Sequence, residues 1–204
     1  MGTPNAKRGS GQRGARPAIP YQLKVALIGT EPEIWRRFVV ASSIKLSRLH
    51  HVIQEVMGWT NSHLHRFGLG PTMYSDVDFE LDVEHEDESQ VKLVDLVPHP
   101  PSALMYVYDF GDSWDYVVVI EDYWMHRDIE MPVCVGGARA CPPEDVGGKH
   151  GYEEFLRVLA EPRDEQHEDM LRWVGGAFDP ESFDVDEVNA LLGTFGTRRQ
   201  RSGG

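Results

Sequence analysis

The chain has 204 residues, with 33 Asp+Glu against 20 Lys+Arg and a formal net charge of −13, a size that fits one globular domain or at most two small ones and excludes a multidomain machine. With 41% hydrophobic and 26% charged residues it can close a core, which excludes wholesale disorder. The charge is uneven: Lys7, Arg8, Arg13 and Arg16 stand in residues 1–17 and Arg198, Arg199 and Arg201 in residues 198–204, both without a carboxylate, so residues 18–197 keep 13 bases against all 33 acids, a charge of −20.

Residues 1–19, rich in Gly, Arg, Ser and Pro, read as a flexible basic arm and 197–204 as a flexible tail, leaving 20–196 as the folded domain. From Tyr21 the run YQLKVALIG alternates; after the turn residues Thr30, Glu31 and Pro32, IWRRFVV is its expected hairpin partner. The period then changes. Leu49, Val52, Ile53, Val56 and Met57 recur at helical spacing behind a cap at Ser47, and Gly58 ends the helix. HLHRFGLG reads as a short strand, and the alternation of Val77, Phe79, Leu81 and Val83 as another. An exposed acidic run, EHEDES, leads to a short helix around VKLVDLV, which the Pro98–Pro101 cluster stops.

LMYVYDF and WDYVVVIEDYW form the strongest predicted hairpin, across Gly111, Asp112 and Ser113. Its core face is expected to hold Leu104, Tyr106, Tyr108 and Phe110 opposite Trp114, Tyr116, Val118 and Ile120. After Pro132 the glycine-rich stretch VCVGGARACPPEDVGGKHGYEEF reads as a long loop, with helical patterning resuming at Tyr152. Three helical segments close the chain, in GYEEFLRVLA, DEQHEDMLRWV and DPESFDVDEVNALLGTF. Asp179, Pro180 and Glu181 look like an N-cap with proline at the first helical position of the last.

Several function classes fall away on the residues. A body of −20 repels phosphate, so DNA contact is expected only through the basic tails, if at all. No run approaches the roughly 18 apolar residues of a membrane span, and the N-terminus lacks the apolar segment of a secretory signal; a cytoplasmic protein with no membrane partner is expected. DFG at 109–111 and HRD at 126–128 stand in the reverse of the kinase order, without a Gly-rich loop or strand lysine before them. Asp109-Phe110-Gly111-Asp112 reads instead as a turn in which Gly111 supplies a positive φ and the aspartates bond turn amides, with a site role as the alternative. Trp114 reads as packing.

Cys134 and Cys141 are too few for a disulfide scaffold and, with six residues between them, do not match a zinc knuckle; a composite site with His63 and His65 is the remaining metal reading for them. Glu144 and Asp145 beside Cys141 would raise its pKa and disfavour a catalytic thiol. In the loop GGARACPPEDVGGKHGY, Arg139 is expected either to pair with Glu144 and Asp145 as an internal ion pair or to line a pocket with them, below the exposed amides of Gly147 and Gly148. The loop is not a Walker A motif. Arg36, in an early strand, is expected to find a carboxylate partner, with anion recognition the alternative.

Five ordered segments, YQLKVALIGTEPEIWRRFVV, LHHVIQEVMGW with HLHRF, YDFGDSWDY, CPPEDVGGKHGY and FDPESFDVDEVNALL, together resemble the Ri-plasmid ORF-three-like family over roughly residues 20–195. Its bacterial and archaeal members are often labelled transposon resolvases or insertion-element passenger proteins. The resemblance implies an α+β domain of undetermined biochemical function. The resolvase label does not fit these residues, which offer neither a serine nucleophile among arginines nor a basic helix-turn-helix. Members commonly carry a His shortly after the tryptophan of the DFGD-W segment, where this chain has Asp115 and Tyr116, and many have a third Cys near Val146.

The expected fold is one α+β domain, an antiparallel or mixed sheet with helices packed on it. The expected function is a binding or accessory module, linked to mobile elements, for an unidentified small ligand or protein partner and without a cofactor. Its pocket would form where the DFGD turn (Asp109, Asp112, Trp114), the CPPEDVGG loop (Arg139, Glu144, Asp145, Gly147, Gly148, with Tyr152 behind) and Arg36 or His63 converge. Two alternatives stand beside it: a metal-assisted hydrolytic enzyme using Asp109, Asp112, Glu144 and His63 with a divalent metal, and weak DNA association through the basic tails.

Overall fold

The structure, a computed structural model, describes residues 19–78, 84–124 and 129–198, with side chains as far as residue 194. Residues 1–18 of the basic arm, 199–204 of the tail, Phe79, Leu81 and Val83 of the expected middle strand, and the HRD letters lie outside the described residues.

Alternating burial builds β1 (Pro20–Leu27) and β2 (Trp35–Ala41), which pair antiparallel with Tyr21 opposite Val40, as the hairpin reading requires. The second predicted hairpin is β6 (Ser102–Tyr108) with β7 (Trp114–Tyr123), Tyr106 standing opposite Tyr116. Leu104, Tyr106, Tyr108, Trp114, Tyr116, Val118 and Ile120 are all buried, while Phe110, at the turn, is only half-buried. The two hairpins join through β7 and β1, the centre of an eight-stranded sheet ordered β5-β4-β3-β6-β7-β1-β2-β8. Here β3 is His65–Leu69, β4 Thr72–Ser75, β5 Glu86–Asp87 and β8 Val133–Ala138. The β4–β5 pair is parallel and the other pairings are antiparallel, so the sheet is mixed and the fold α+β.

Helix α1 (Leu46–Met57) buries Leu49, Val52, Ile53 and Val56 completely, each side chain contributing about 1.5–3 kcal/mol. It packs against β2 and against α5 (Val185–Arg198), which also covers β8; α3 (Gly148–Ala160) packs on α4 (His167–Trp173), and α2 is Leu93–Leu96. Gly58 ends α1 in the left-handed region at φ 93°, its N–H on Gln54 O. No helix among the described residues is long and apolar enough to cross a membrane.

Four local expectations are corrected. Ser47 lies inside α1, whose N-cap position is Lys45 with no side-chain cap; the Leu46 amide is bonded to Val91 O instead, so tertiary contact replaces the cap. The strand expected from Val77 does not start there: β4 ends at Ser75 and Val77 is 58% exposed. The supposed loop after Pro132 opens with β8, paired antiparallel to β2 with Arg36 opposite Gly137. A Cβ on Gly137 would lie within 2.8 Å of the Phe183 ring and of Arg36 Cδ, so close packing demands the glycine that hid the strand from propensity. Finally, α5 begins at Val185, where Asp184 Oδ1 accepts the amides of Asp186 and Glu187; Asp179 serves a separate turn, held by Ala140 N–H on Pro180 O.

Candidate functional site

Three chain segments meet at one end of the central strands. The loop after Gly58 carries Thr60 to His63, the β6–β7 turn carries Asp109 to Asp112, and the loop from β8 to α3 carries Glu144 to Gly147. The β3–β6 register, His65 opposite Tyr108, brings His63 beside Asp109, and Asp109 N–H closes the junction on Leu64 O at 2.9 Å.

At the junction His63 Nε2 lies 3.2 Å from Asp145 Oδ1 and 3.7 Å from both Asp109 Oδ2 and Glu144 Oε2. Each of the two more buried carboxylates divides its oxygens. Asp109 Oδ1 accepts the amides of Gly111 and Asp112 at 2.9 and 3.3 Å, which leaves Oδ2 facing the imidazole. Glu144 Oε1 accepts Thr60 N–H and Oγ1–H at 2.8 Å each and Tyr108 O–H at 3.0 Å. Glu144 Oε2 and His63 Nε2, both removed from solvent, have no hydrogen-bond partner among the described residues. Asp112 joins two of the segments through Gly147 N–H on Oδ2 at 3.1 Å.

The turn works differently from its sequence reading. Asp109 (φ 56°) and Ser113 (φ 53°) take the left-handed conformations, and Gly111 is not among the positive-φ glycines. The aspartate's bonds to its own turn amides make that conformation tolerable for a non-glycine residue. Gly147 (φ 92°) and Gly148 (φ 67°) do need to be glycines, and a Cβ on Gly148 would meet Asp112 O at 2.6 Å. Gly148→Ala is therefore expected to cost about 1–3 kcal/mol in urea unfolding; a loss below a few tenths would show that the close approach is relaxed in solution.

A buried polar network holds the His63 loop from behind. Asn61, itself left-handed at φ 59°, donates its amide to Gln54 Oε1 at 2.9 Å and meets His50 Nε2 through Oδ1 at 2.6 Å. His50 Nδ1 faces Tyr106 OH at 2.8 Å, Gln54 Nε2 donates to the same hydroxyl, and Ser62 N–H donates to Tyr108 OH. The His50 ring stacks on His65 at 3.4 Å, and His65 Nε2 contacts Glu88 Oε2 at 2.9 Å. Burial, then the neighbouring His65, pull His50 down to about 2. Burial raises the Tyr108 phenol, with Glu144 adding to the rise and the Ser62 backbone hydrogen bond opposing it. A pocket of about 290 Å³ opens beside this network, with His50, His51, Asn61, Ser62 and His63 in its wall.

The other expected site residues lie elsewhere or serve the frame. Arg36, 3% exposed, has no carboxylate among its partners: its guanidinium donates to the carbonyls of Val56, Trp35, Ala138 and Arg139 and lies over the Phe183 ring. Strands β2 and β8, helix α1 and the residue after β8 together bring four carbonyls to that cation. Arg139 pairs with Glu181 at 2.8 Å and Pro32 O at 3.0 Å rather than with Glu144 or Asp145, because its left-handed backbone (φ 67°) turns away from the acidic part of the loop. Trp114 packs against Trp59, and Tyr152 against Phe155 and Phe178.

One nitrogen of His63 and one oxygen each of Asp109 and Asp145 lie within 4.8 Å of one another and could hold a metal ion. The cysteines are outside that group. Cys134 donates to Arg37 O and Gly136 O, and Cys141 lies against Tyr116 with burial pushing its thiol up to about 12. Thr60, Asn61, Gln54 and His50 escaped sequence reasoning because polar residues on a helix face and in a short loop carry no spacing signal. Tyr108 was read as core only, and is both core and ligand to Glu144.

The family model for plasmid pRiA4b ORF-3-like proteins matches residues 20–187. An uncharacterized protein, y4hQ of Sinorhizobium fredii, is 39% identical over 177 residues, covering 86% of this chain and 91% of its own length. Among solved structures, a protein of unknown function from Methanosarcina mazei Go1, MM3350, is 37% identical with a TM-score of 0.76, covering 83% of this chain and 97% of that one.

Proposed function

The chain belongs to the plasmid pRiA4b ORF-3-like protein family, and from that premise we propose that it is a binding module whose three-loop site captures a cation. One observation carries the reading: His63 Nε2 and Glu144 Oε2 are buried atoms, face each other at 3.7 Å among two further carboxylates, and have no hydrogen-bond partner among the described residues. Buried polar atoms left in that condition call for an ion or a ligand. An anion finds little there. Arg36 and Arg139 are committed to carbonyls and to Glu181, and the amide of Gly147 ahead of α3 already serves Asp112. Nucleophilic catalysis is disfavoured because desolvation pushes the Cys141 thiol up to about 12. Three hydrogen bonds fix Glu144 in place, which suits holding a ligand better than shuttling a proton.

Thermal unfolding of the full chain tests this against divalent metals, methylammonium and methylguanidinium, with phosphate and sulfate as the anionic arm. A cation at about 100 times its Kd should add about 2.7 kcal/mol of stability, and a Glu144→Gln/Asp145→Asn double variant should lose the gain while keeping the fold. Stabilisation by anions alone, or a gain that survives the double variant, would sink the reading.

A further inference from the structure

We infer that the captured cation is a first-row divalent metal of the Zn²⁺, Fe²⁺ and Mn²⁺ class, bound by His63 Nε2, Asp109 Oδ2 and Asp145 Oδ1, with Glu144 Oε2 adding negative charge 3.7 Å from the imidazole. The inference rests on the cation-binding reading and narrows it.

The spacing is that of ligands around one ion. Metal–nitrogen and metal–oxygen bonds of about 2.0–2.2 Å at tetrahedral angles place neighbouring donor atoms roughly 3.3–3.6 Å apart. The observed separations from His63 Nε2 are 3.2, 3.7 and 3.7 Å. They lie close to those edges, the His63, Asp109 and Asp145 ligand atoms all fall within 4.8 Å of one another, and Nε2 has no hydrogen-bond partner among the described residues although Asp145 Oδ1 is near enough for one. The donor set chooses the metal. Calcium and magnesium take oxygen ligands, thiolate sites prefer softer ions, and one imidazole with carboxylates suits the borderline metals between them.

An independent feature points into the same space. The Asp109 side chain is only 10% exposed, and its Oδ1 is spent on two turn amides while Oδ2 faces the imidazole at 3.7 Å. Glu144 repeats the arrangement, Oε1 held by Thr60 and Tyr108 and Oε2 turned inward. Orientation of ligands by outer hydrogen bonds is how metal sites fix their geometry. Asn61, tied to Gln54 and His50, does the same for the loop that carries His63. Asp145, with its side chain 73% exposed, marks the side from which an ion and its water would reach the site.

The test uses the full chain freed of metal by dialysis against a chelator, titrated separately with Zn²⁺, Mn²⁺, Mg²⁺ and Ca²⁺ and checked by elemental analysis, with Co²⁺ as a spectroscopic probe. One equivalent of Zn²⁺ or Mn²⁺ is expected, bound at least 100-fold more tightly than Mg²⁺ or Ca²⁺. His63→Gln and Asp109→Asn, which keep the turn's hydrogen-bonding atoms, should each weaken binding by about 100-fold or more, and His63→Gln should abolish the Co²⁺ visible band. Thr60→Val, outside the ligand set, should cost about tenfold, and Asp115→Asn on the exposed face of β7 should cost nothing. No stoichiometric uptake, equal affinity for Ca²⁺, or an unchanged His63→Gln variant would overturn the inference. Stabilisation by methylammonium or methylguanidinium that is lost in Glu144→Gln/Asp145→Asn, with no metal uptake, would leave the cation module standing and remove the metal; a protein indifferent to both would remove both.

Discussion

Replacing Arg36 with methionine should cost about 3–5 kcal/mol, among the largest losses open to a single side chain in this molecule. The guanidinium is 3% exposed and donates to four backbone carbonyls, Val56 O at 2.9 Å, Trp35 O at 2.8 Å, Ala138 O at 2.9 Å and Arg139 O at 2.8 Å. Burial lowers its pKa, with weaker opposing influence from Cys141, Cys134 and Tyr116, so the cation is held at a cost in desolvation. Buried ion pairs can be replaced by apolar side chains almost freely when both charges leave together. Here only the cation would leave. The carbonyls remain, and each orphaned acceptor costs about 1–3 kcal/mol when water cannot reach it. Lysine restores the charge without the planar fork and should recover no more than part of the loss. Urea unfolding of Arg36→Met and Arg36→Lys measures this; a loss under 1 kcal/mol for the methionine variant would mean that water or a shifted side chain satisfies those carbonyls.

Arg36 also shows what the sequence could and could not convey. Alternation placed it in a strand, but β8, which supplies the Ala138 acceptor and leads directly into Arg139, contains Gly136 and Gly137 and reads as loop. At Gly137 the glycine is a consequence of close packing, since a Cβ there would lie within 2.8 Å of the Phe183 ring and of Arg36 Cδ, a tertiary fact without a local signature. By contrast, β1, β2, β6, β7 and α1 were legible because each buries a face with its own period. Leu104, Tyr106 and Tyr108 alternate, and Leu49, Val52, Ile53 and Val56 recur every three or four residues.

The site divides in the same way. Asp109, Asp112, Glu144, Asp145 and His63 stood out as polar residues in turn-rich motifs that packing does not explain, and His63 comes within 3.7 Å of Asp109, Glu144 and Asp145. Arg139 was drawn into the group by chain proximity and leaves it by pairing with Glu181, 42 residues on. Sequence neighbours predict loop company poorly when a backbone in the left-handed region redirects the chain, as at Arg139, Asp145 and Gly147. The residues that orient the ligands, Thr60, Asn61 and Tyr108, belong to elements whose register had to be known first.

Acidification should expose the buried end of that network. His50 is 2% exposed, with Tyr106 OH on one ring nitrogen and Asn61 Oδ1 on the other; His65 is stacked against it, His51 lies at its side, and Glu88 stands behind His65. Burial first, and the charge of His65 second, lower its pKa from the usual 6.5 to about 2. Between those values the unfolded chain takes up a proton that the folded chain refuses. The contribution of His50 to stability is thus complete above pH 6.5 and shrinks as pH falls, by about 1.4 kcal/mol per unit. From pH 6.5, where the unfolded imidazole is already half protonated, to pH 4.5 the wild-type protein should lose about 2.3 kcal/mol through this group alone. His50→Gln, which keeps a polar side chain beside Tyr106 and Asn61 without the titration, should start less stable at pH 7 but fall less steeply, the two curves converging by about that amount at pH 4.5. The difference between the two slopes is the readout for His50. Parallel urea-unfolding curves across that range would show that His50 is protonated, or reached by water, in the folded chain. The same result would remove the neutral imidazole that fixes Asn61, and with it the rigid support for the loop presenting His63.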